Sequence, residues 1–124
     1  MNTIINLSNH PSEKWTEAQR DALLAYAAEQ GISDAPIRDF PFPSVDPEAD
    51  SSQVWAMAQD LWNEIDAMDG VLVHCMGETS VLVAFCRQAG KTPVVCSTTA
   101  REVVDLPDGR KESRFSFRRI RRIA

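Results

Sequence analysis

The chain is sparing with the residues that build metal centres, disulfide frameworks and nucleotide-cofactor loops, and each shortage removes a class of function. Its cysteines are Cys75, Cys86 and Cys96, an odd number spaced too widely for a metal knuckle, and only His10 and His74 stand beside them. The expectation is therefore reduced thiols in buried segments and no metal site. No long hydrophobic run exists: Val81 to Cys86 falls far short of a membrane span, and Met1 to Asn9 lacks the basic start of a secretory signal. These features point to a cytoplasmic protein that does not contact membranes. Neither a Gly-x-Gly-x-x-Gly fingerprint nor a P-loop is present, since Cys-Met-Gly-Glu-Thr-Ser at 75–80 has one glycine and no lysine. Hydride transfer and ATP hydrolysis lose their main evidence, and no cofactor is expected.

What is present is an ordinary globular composition in 124 residues, enough for one domain spanning 1–124 with a sizeable core. Charge is unevenly placed, with residues 1–100 carrying a net −9 and residues 101–124 a net +4. An acidic body with a basic tail argues against coating of long nucleic acid, but it allows a small anionic ligand to be drawn to one patch. The same arginines also read as a solvated edge strand that resists aggregation.

Strands and helices alternate along the chain. Thr3 to Leu7 reads as a β-branched, apolar strand that exits through Ser8-Asn9-His10-Pro11. Thr16-Glu17-Ala18-Gln19 has the pattern of a capping box, with Trp15 just ahead as a staple, and Ala18, Ala22, Leu23 and Tyr26 recur at helical spacing up to Gly31. Ala35 to Phe42, with prolines at 36, 41 and 43, suits an edge strand. Val54, Trp55, Ala58, Leu61, Trp62 and Ile65 define an amphipathic helix. Val71 to Val73 reads as a central strand feeding a helix through Gly77, with Thr79 or Ser80 as its cap. Lys91 to Ser97 is a fourth strand with an exit at Thr98-Thr99-Ala100-Arg101. A hairpin about Pro107-Asp108-Gly109-Arg110 closes the chain.

This alternation predicts a three-layer α/β domain with a mostly parallel sheet of order 2-1-3-4, extended by a C-terminal β-hairpin. Ligands in such sheets bind beyond the carboxyl ends of the strands, where the winding direction reverses. Three polar exits meet there: Ser8 to His10, Cys75 to Ser80, and Thr98 to Arg101.

His74-Cys75 invites comparison with cysteine-dependent phosphatases, but that chemistry needs an arginine six residues after the cysteine and position 81 is Val. Cys75 therefore reads as a small core residue. A serine triad would need His10 to meet Ser8, Ser80 or Ser97, and no Gly-x-Ser-x-Gly elbow supports one. The exits suit a phosphodiester held and cleaved by positioning. RNA carries its own nucleophile, the 2′-hydroxyl, so the protein needs a group such as His10 as acid or base and Arg101 or backbone donors against developing charge. Glu78 either favours the start of its helix or holds Arg101 or a ribose hydroxyl.

Asn-Leu-Ser-Asn-His-Pro-Ser after the first strand, Met-Gly-Glu-Thr-Ser after the third, Ser-Thr-Thr-Ala-Arg after the fourth and the Arg- and Phe-rich terminal strand together resemble the small CRISPR-associated Rossmann-fold (CARF-type) proteins, above all the stand-alone ring nucleases. The resemblance implies a Rossmann-like homodimer that binds cyclic oligoadenylate, the second messenger of type III CRISPR antiviral defence, and cleaves it without metal. It implies His10, Glu78, Thr98 and Arg101 as catalytic candidates, and Ser8, Asn9, Gly77, Thr79, Ser80 and Thr99 as ligand contacts. Two other readings stay open: a sensor that binds a cyclic nucleotide or other phosphate ligand without cleaving it, and an interaction protein that uses its basic hairpin on an acidic partner.

Overall fold

A computed structural model describes residues 2–124. The elements run β1 (Thr3–Leu7), a short 3-10 turn (Ser12–Lys14), α1 (Glu17–Glu29), β2 (Ile37–Phe40), α2 (Ser51–Ala67), β3 (Gly70–Cys75), α3 (Thr79–Arg87), β4 (Val94–Asp105) and β5 (Lys111–Arg122). They build one mixed sheet of order β2-β1-β3-β4-β5, parallel except for the antiparallel β4–β5 pair. Among the described residues no helix is long and apolar enough to cross a membrane.

The two faces of the sheet are covered by different helices. Ile5, Leu7, Val73, Cys75 and Val94 point toward α2 and α3, where Trp62 stacks on Phe85 with ring centroids 4.2 Å apart. Ile4, Leu72 and Val95 point the other way and pack with Trp15, Leu23 and Ala27 of the α1 side. Every residue of β1 is buried, as a central strand covered on both faces requires.

Local signals explain the helix ends, with two corrections. Thr16 caps α1 by accepting from the Gln19 amide. The Gln19 side chain does not complete the expected box and turns inward, so the buried stripe of α1 is Gln19, Leu23 and Ala27, while Ala18 is exposed. The complete capping box is at α2, between Asp50 and Gln53. On α2 the expected apolar face is buried except at Trp55, which is 45% exposed and belongs to the rim of a groove against α3.

The C-terminal region departs furthest from expectation. Thr98 to Arg101 is not a loop: β4 continues without a break to Asp105, and β5 pairs along its whole length. β-branched Thr98, Thr99, Val103 and Val104 favour this extended run, and Gly109, at φ +87°, makes the turn. A bulge interrupts the pairing: Thr98 faces Arg119 while Thr99 faces Phe117, leaving Arg118 as the extra residue. That residue shifts the alternation of β5, so Ile120, Phe117 and Phe115 all lie on the α1 face of the sheet.

Gly77 has a role other than the one its turn suggested. Its φ is not in the left-handed region, and a Cβ there would be driven into the Phe42 ring. Gly77→Ala is therefore expected to lower stability by about 1–3 kcal/mol through overpacking. Urea denaturation should show most of that loss recovered when Phe42 is also shortened to Leu; additive losses would mean that the Phe42 contact is not the cause.

Candidate functional site

Five buried polar side chains cluster at the carboxyl ends of β1 and β3, near the start of β4 and on the first turn of α1. They are Asn6, Ser8, Gln19, His74 and Ser97. Each comes from a different local constraint. Asn6 and Ser8 lie at the end of β1, His74 is the penultimate residue of β3, and Ser97 faces them from β4. Gln19 reaches across from the first turn of α1.

The hydrogen bonds leave one consistent assignment of protons. Asn6 Nδ2 is 2.9 Å from Asp39 Oδ1 and 2.9 Å from the His10 carbonyl, both acceptors, so the amide nitrogen must face them. Asn6 Oδ1 then accepts from Ser8 Oγ at 2.8 Å and from His74 Nδ1 at 3.0 Å. With its hydrogen on Nδ1, the neutral imidazole presents a lone pair at Nε2, where Ser97 Oγ donates over 2.7 Å. Gln19 Nε2 donates to the same Ser97 oxygen at 3.0 Å.

Electrostatics keep this chain of bonds in that state. Burial lowers the pKa of His74 from 6.5 to about 4, assisted by the nearby His10, so its imidazole is uncharged at neutral pH. Burial works against ionisation of Asp39, but hydrogen bonds from Asn6 and Ser12, with Arg20 close by, outweigh it and hold the carboxyl below its ordinary value. Trp15 packs against the His74 ring in a T-shaped contact from the α1 side, centroids 5.0 Å apart at 66°.

Beside this network lies a cavity of about 290 Å³. Its walls include Ser8, His10, Lys14, His74, Ser97 and Thr99, with the rings of Phe115 and Phe117 contributed by β5. A larger cavity, about 450 Å³, runs between α2 and α3, but Ala49, Val54, Trp55, Val83 and Ala84 make up much of its lining. It has no comparable set of buried, connected polar groups, so the smaller cavity is the candidate site.

Of the residues expected at the site, Ser8, His10 and Thr99 line this cavity. The others lie elsewhere. Thr98 is on the opposite face of β4, its hydroxyl bonded to the backbone of Arg119. Arg101 is on the exposed hairpin, where its guanidinium donates to Ser113 Oγ at 3.0 and 3.2 Å. Asn9 is exposed and outside the cavity wall. Gly77 packs against Phe42 on the α2 and α3 face.

The start of α3 is also closed to an anion. Glu78, rather than Thr79 or Ser80, is the cap, accepting from the amides of Ser80 and Val81 at 3.1 and 2.9 Å and from the Ser80 hydroxyl. The Ser80 hydroxyl and these amides hold the Glu78 carboxyl below its usual range. The helix supplies its own negative charge where a phosphate was expected. Cys75 is fully buried with its thiol pushed up to about 12, inert as the failed phosphatase spacing implied.

Lys14, Gln19, His74 and Ser97 were missed as a set. In the local pattern Gln19 belongs to a capping box and His74 to the His74-Cys75 pair of the phosphatase comparison. The available signal was a polar residue within the apolar runs of β1 and β3, Asn6 and His74, with Ser97 directly after Val94-Val95-Cys96 on β4.

Fold and cavity together define a mixed α/β protein whose polar pocket lies beyond the carboxyl ends of its central parallel strands. Its sequence matches the Uncharacterized protein MJ1673 family over residues 2–121, and the chain belongs to that family. No curated protein matches it.

Stability should report the state of His74. Unfolded, its imidazole takes up a proton as pH falls through 6.5, whereas the folded chain resists until about pH 4. Stability is therefore present above pH 6.5 and lost across that window, by on the order of 3 kcal/mol. Chemical denaturation from pH 7 to pH 4 should show this excess loss in the wild type and not in His74→Gln. Parallel slopes would mean that His74 does not carry it.

Proposed function

We propose that this chain is a metal-independent ring nuclease of Rossmann-like, CARF-type fold that binds cyclic oligoadenylate and opens it by attack of a ribose 2′-hydroxyl. The observation that carries the reading is the composition of one cavity: two phenylalanine rings, Lys14 and His10, and a buried hydroxyl–imidazole pair on its wall. Aromatic rings offer faces on which adenine can stack, a contact worth about 1–3 kcal/mol per base in other systems. Lys14 supplies positive charge for the phosphodiester, and His10 is a second group that can bind it or exchange a proton.

Catalysis in this reading is positional. Cyclic oligoadenylate contains both the attacking 2′-hydroxyl and the leaving 5′-oxygen, and the pocket holds them in line across phosphorus. Lys14 takes the electrostatic role first assigned to Arg101, and Thr99 takes the place of Thr98 as the β4 contact. A homodimer fits the same reading, because a ring with two-fold symmetry matches an isologous pair of pockets.

A non-catalytic sensor is the second reading. It is favoured by the side chains of Thr98 and Arg101, which are engaged by Arg119 and Ser113 and do not line the cavity.

The test is incubation of the purified protein with cyclic tetra- and hexa-adenylate in EDTA, with intact ring and linear product resolved by chromatography. Linear product is expected. Lys14→Ala should weaken ring binding about tenfold and flatten its dependence on salt, as loss of one phosphate contact does. His10→Ala should slow cleavage by at least about tenfold with binding retained. Binding without cleavage by the wild type would establish the sensor instead, and absence of both would remove this function.

A further inference from the structure

The relay Asn6–His74–Ser97 is more than the polar packing of a sheet end, because its direction is fixed and one end reaches the cavity. Asn6 is locked by two acceptors, so His74 must donate from Nδ1 and accept at Nε2. Ser97 spends its only hydrogen on Nε2, and one of its lone pairs receives Gln19. The remaining lone pair of Ser97 Oγ is unassigned, and Ser97 and His74 both belong to the cavity wall. A hydroxyl arranged in this way can take a proton from a ligand hydroxyl while passing its own to the imidazole.

We infer that Ser97 is a catalytic residue of the pocket and that His74, oriented by Asn6, is the base behind it, receiving the proton of the attacking 2′-hydroxyl through Ser97. This rests on the ring-nuclease reading and names its proton path. The 2′-hydroxyl gives its proton to Ser97 Oγ, and the Ser97 proton moves to His74 Nε2. The 2′-oxygen bonds to phosphorus as the bond from phosphorus to the 5′-oxygen breaks. The leaving 5′-oxygen takes a proton from His10, which is restored from solvent, while Lys14 holds the phosphodiester charge, and His74 returns its proton to solvent through Ser97. The products are a 2′,3′-cyclic phosphate and a 5′-hydroxyl, with no water or metal consumed.

A structural role and a proton-accepting role separate at His74→Gln. The Gln side chain offers Ser97 an acceptor oxygen but cannot hold the transferred proton, so folding and ring binding should persist while turnover falls. Ser97→Ala, which removes the relay without enlarging the side chain, is the second variant. Using cyclic tetra- and hexa-adenylate, both variants are expected to bind with near wild-type affinity and to lower kcat by about 10²–10⁴-fold. Rings methylated at the 2′-oxygen should bind and resist cleavage, and wild-type product should carry the cyclic phosphate. Wild-type turnover in either folded variant would overturn the relay and leave the ring-nuclease reading standing. A linear product formed from 2′-methylated rings would exclude 2′-hydroxyl attack and this proton path with it, and leave only metal-independent ring cleavage by another nucleophile. Failure of the wild-type protein to cleave either ring would overturn both.

Discussion

Asn6 is the residue on which the carboxyl end of this sheet depends. Its carboxamide is fully buried and joins four groups from three segments: Asp39 at the end of β2, the His10 carbonyl and the Ser8 hydroxyl in the first loop, and His74 on β3. Such a group is stable in an apolar layer because every one of these bonds is made. A buried donor left without a partner costs about 1–3 kcal/mol, and here one substitution would strand groups on several strands at once. The arrangement therefore orders the first loop and sets the imidazole of His74 in the same step. Cavity and fold are not separable at this end of the molecule.

This coupling also explains which parts of the chain were legible in its sequence. Apolar periodicity and caps are local, and they marked α2 through Val54, Ala58, Leu61, Trp62 and Ile65, the Thr16 cap, and the succession of strands and helices. Asn6, His74 and Ser97 lie far apart in sequence, and their meaning arises only when parallel pairing sets Asn6 beside His74 and brings β4 alongside β3. Gln19 shows the conflict in one residue. Its amide completes the Thr16 cap as the local pattern requires, while its side chain serves Ser97 across the layer. A local reading had no means of dividing the two.

The start of α3 illustrates the opposite error, in which a sound general rule meets a specific occupant. Free amides at a helix N-terminus attract anions, and Gly77-Glu78-Thr79-Ser80 after a central strand has that form. Glu78 fills the position with its own carboxylate, and Phe42 closes the approach beside Gly77. A phosphate brought there would meet a negative charge already bound to the amides of Ser80 and Val81. The polar chemistry lies instead on the α1 face, where the first loop and the 3-10 turn carry His10 and Lys14.

β5 supplies the apolar half of that site, and a single extra residue decides that it can. In an unbroken antiparallel register, Ile120 on one face of the sheet would put Phe117 and Phe115 on the other. Arg118 is inserted between Thr98–Arg119 and Thr99–Phe117, and the alternation changes phase there. Ile120 stays against Ile4, Leu72 and Val95 in the α1-side core, and the two phenylalanines reach the cavity on that same face. The run Arg-Phe-Ser-Phe-Arg-Arg-Ile thus holds two strand phases joined at the bulge, which is why it reads in sequence as a simple hairpin arm. Without the bulge, one end of β5 could pack on the core or the other could face the pocket, but the strand could not do both.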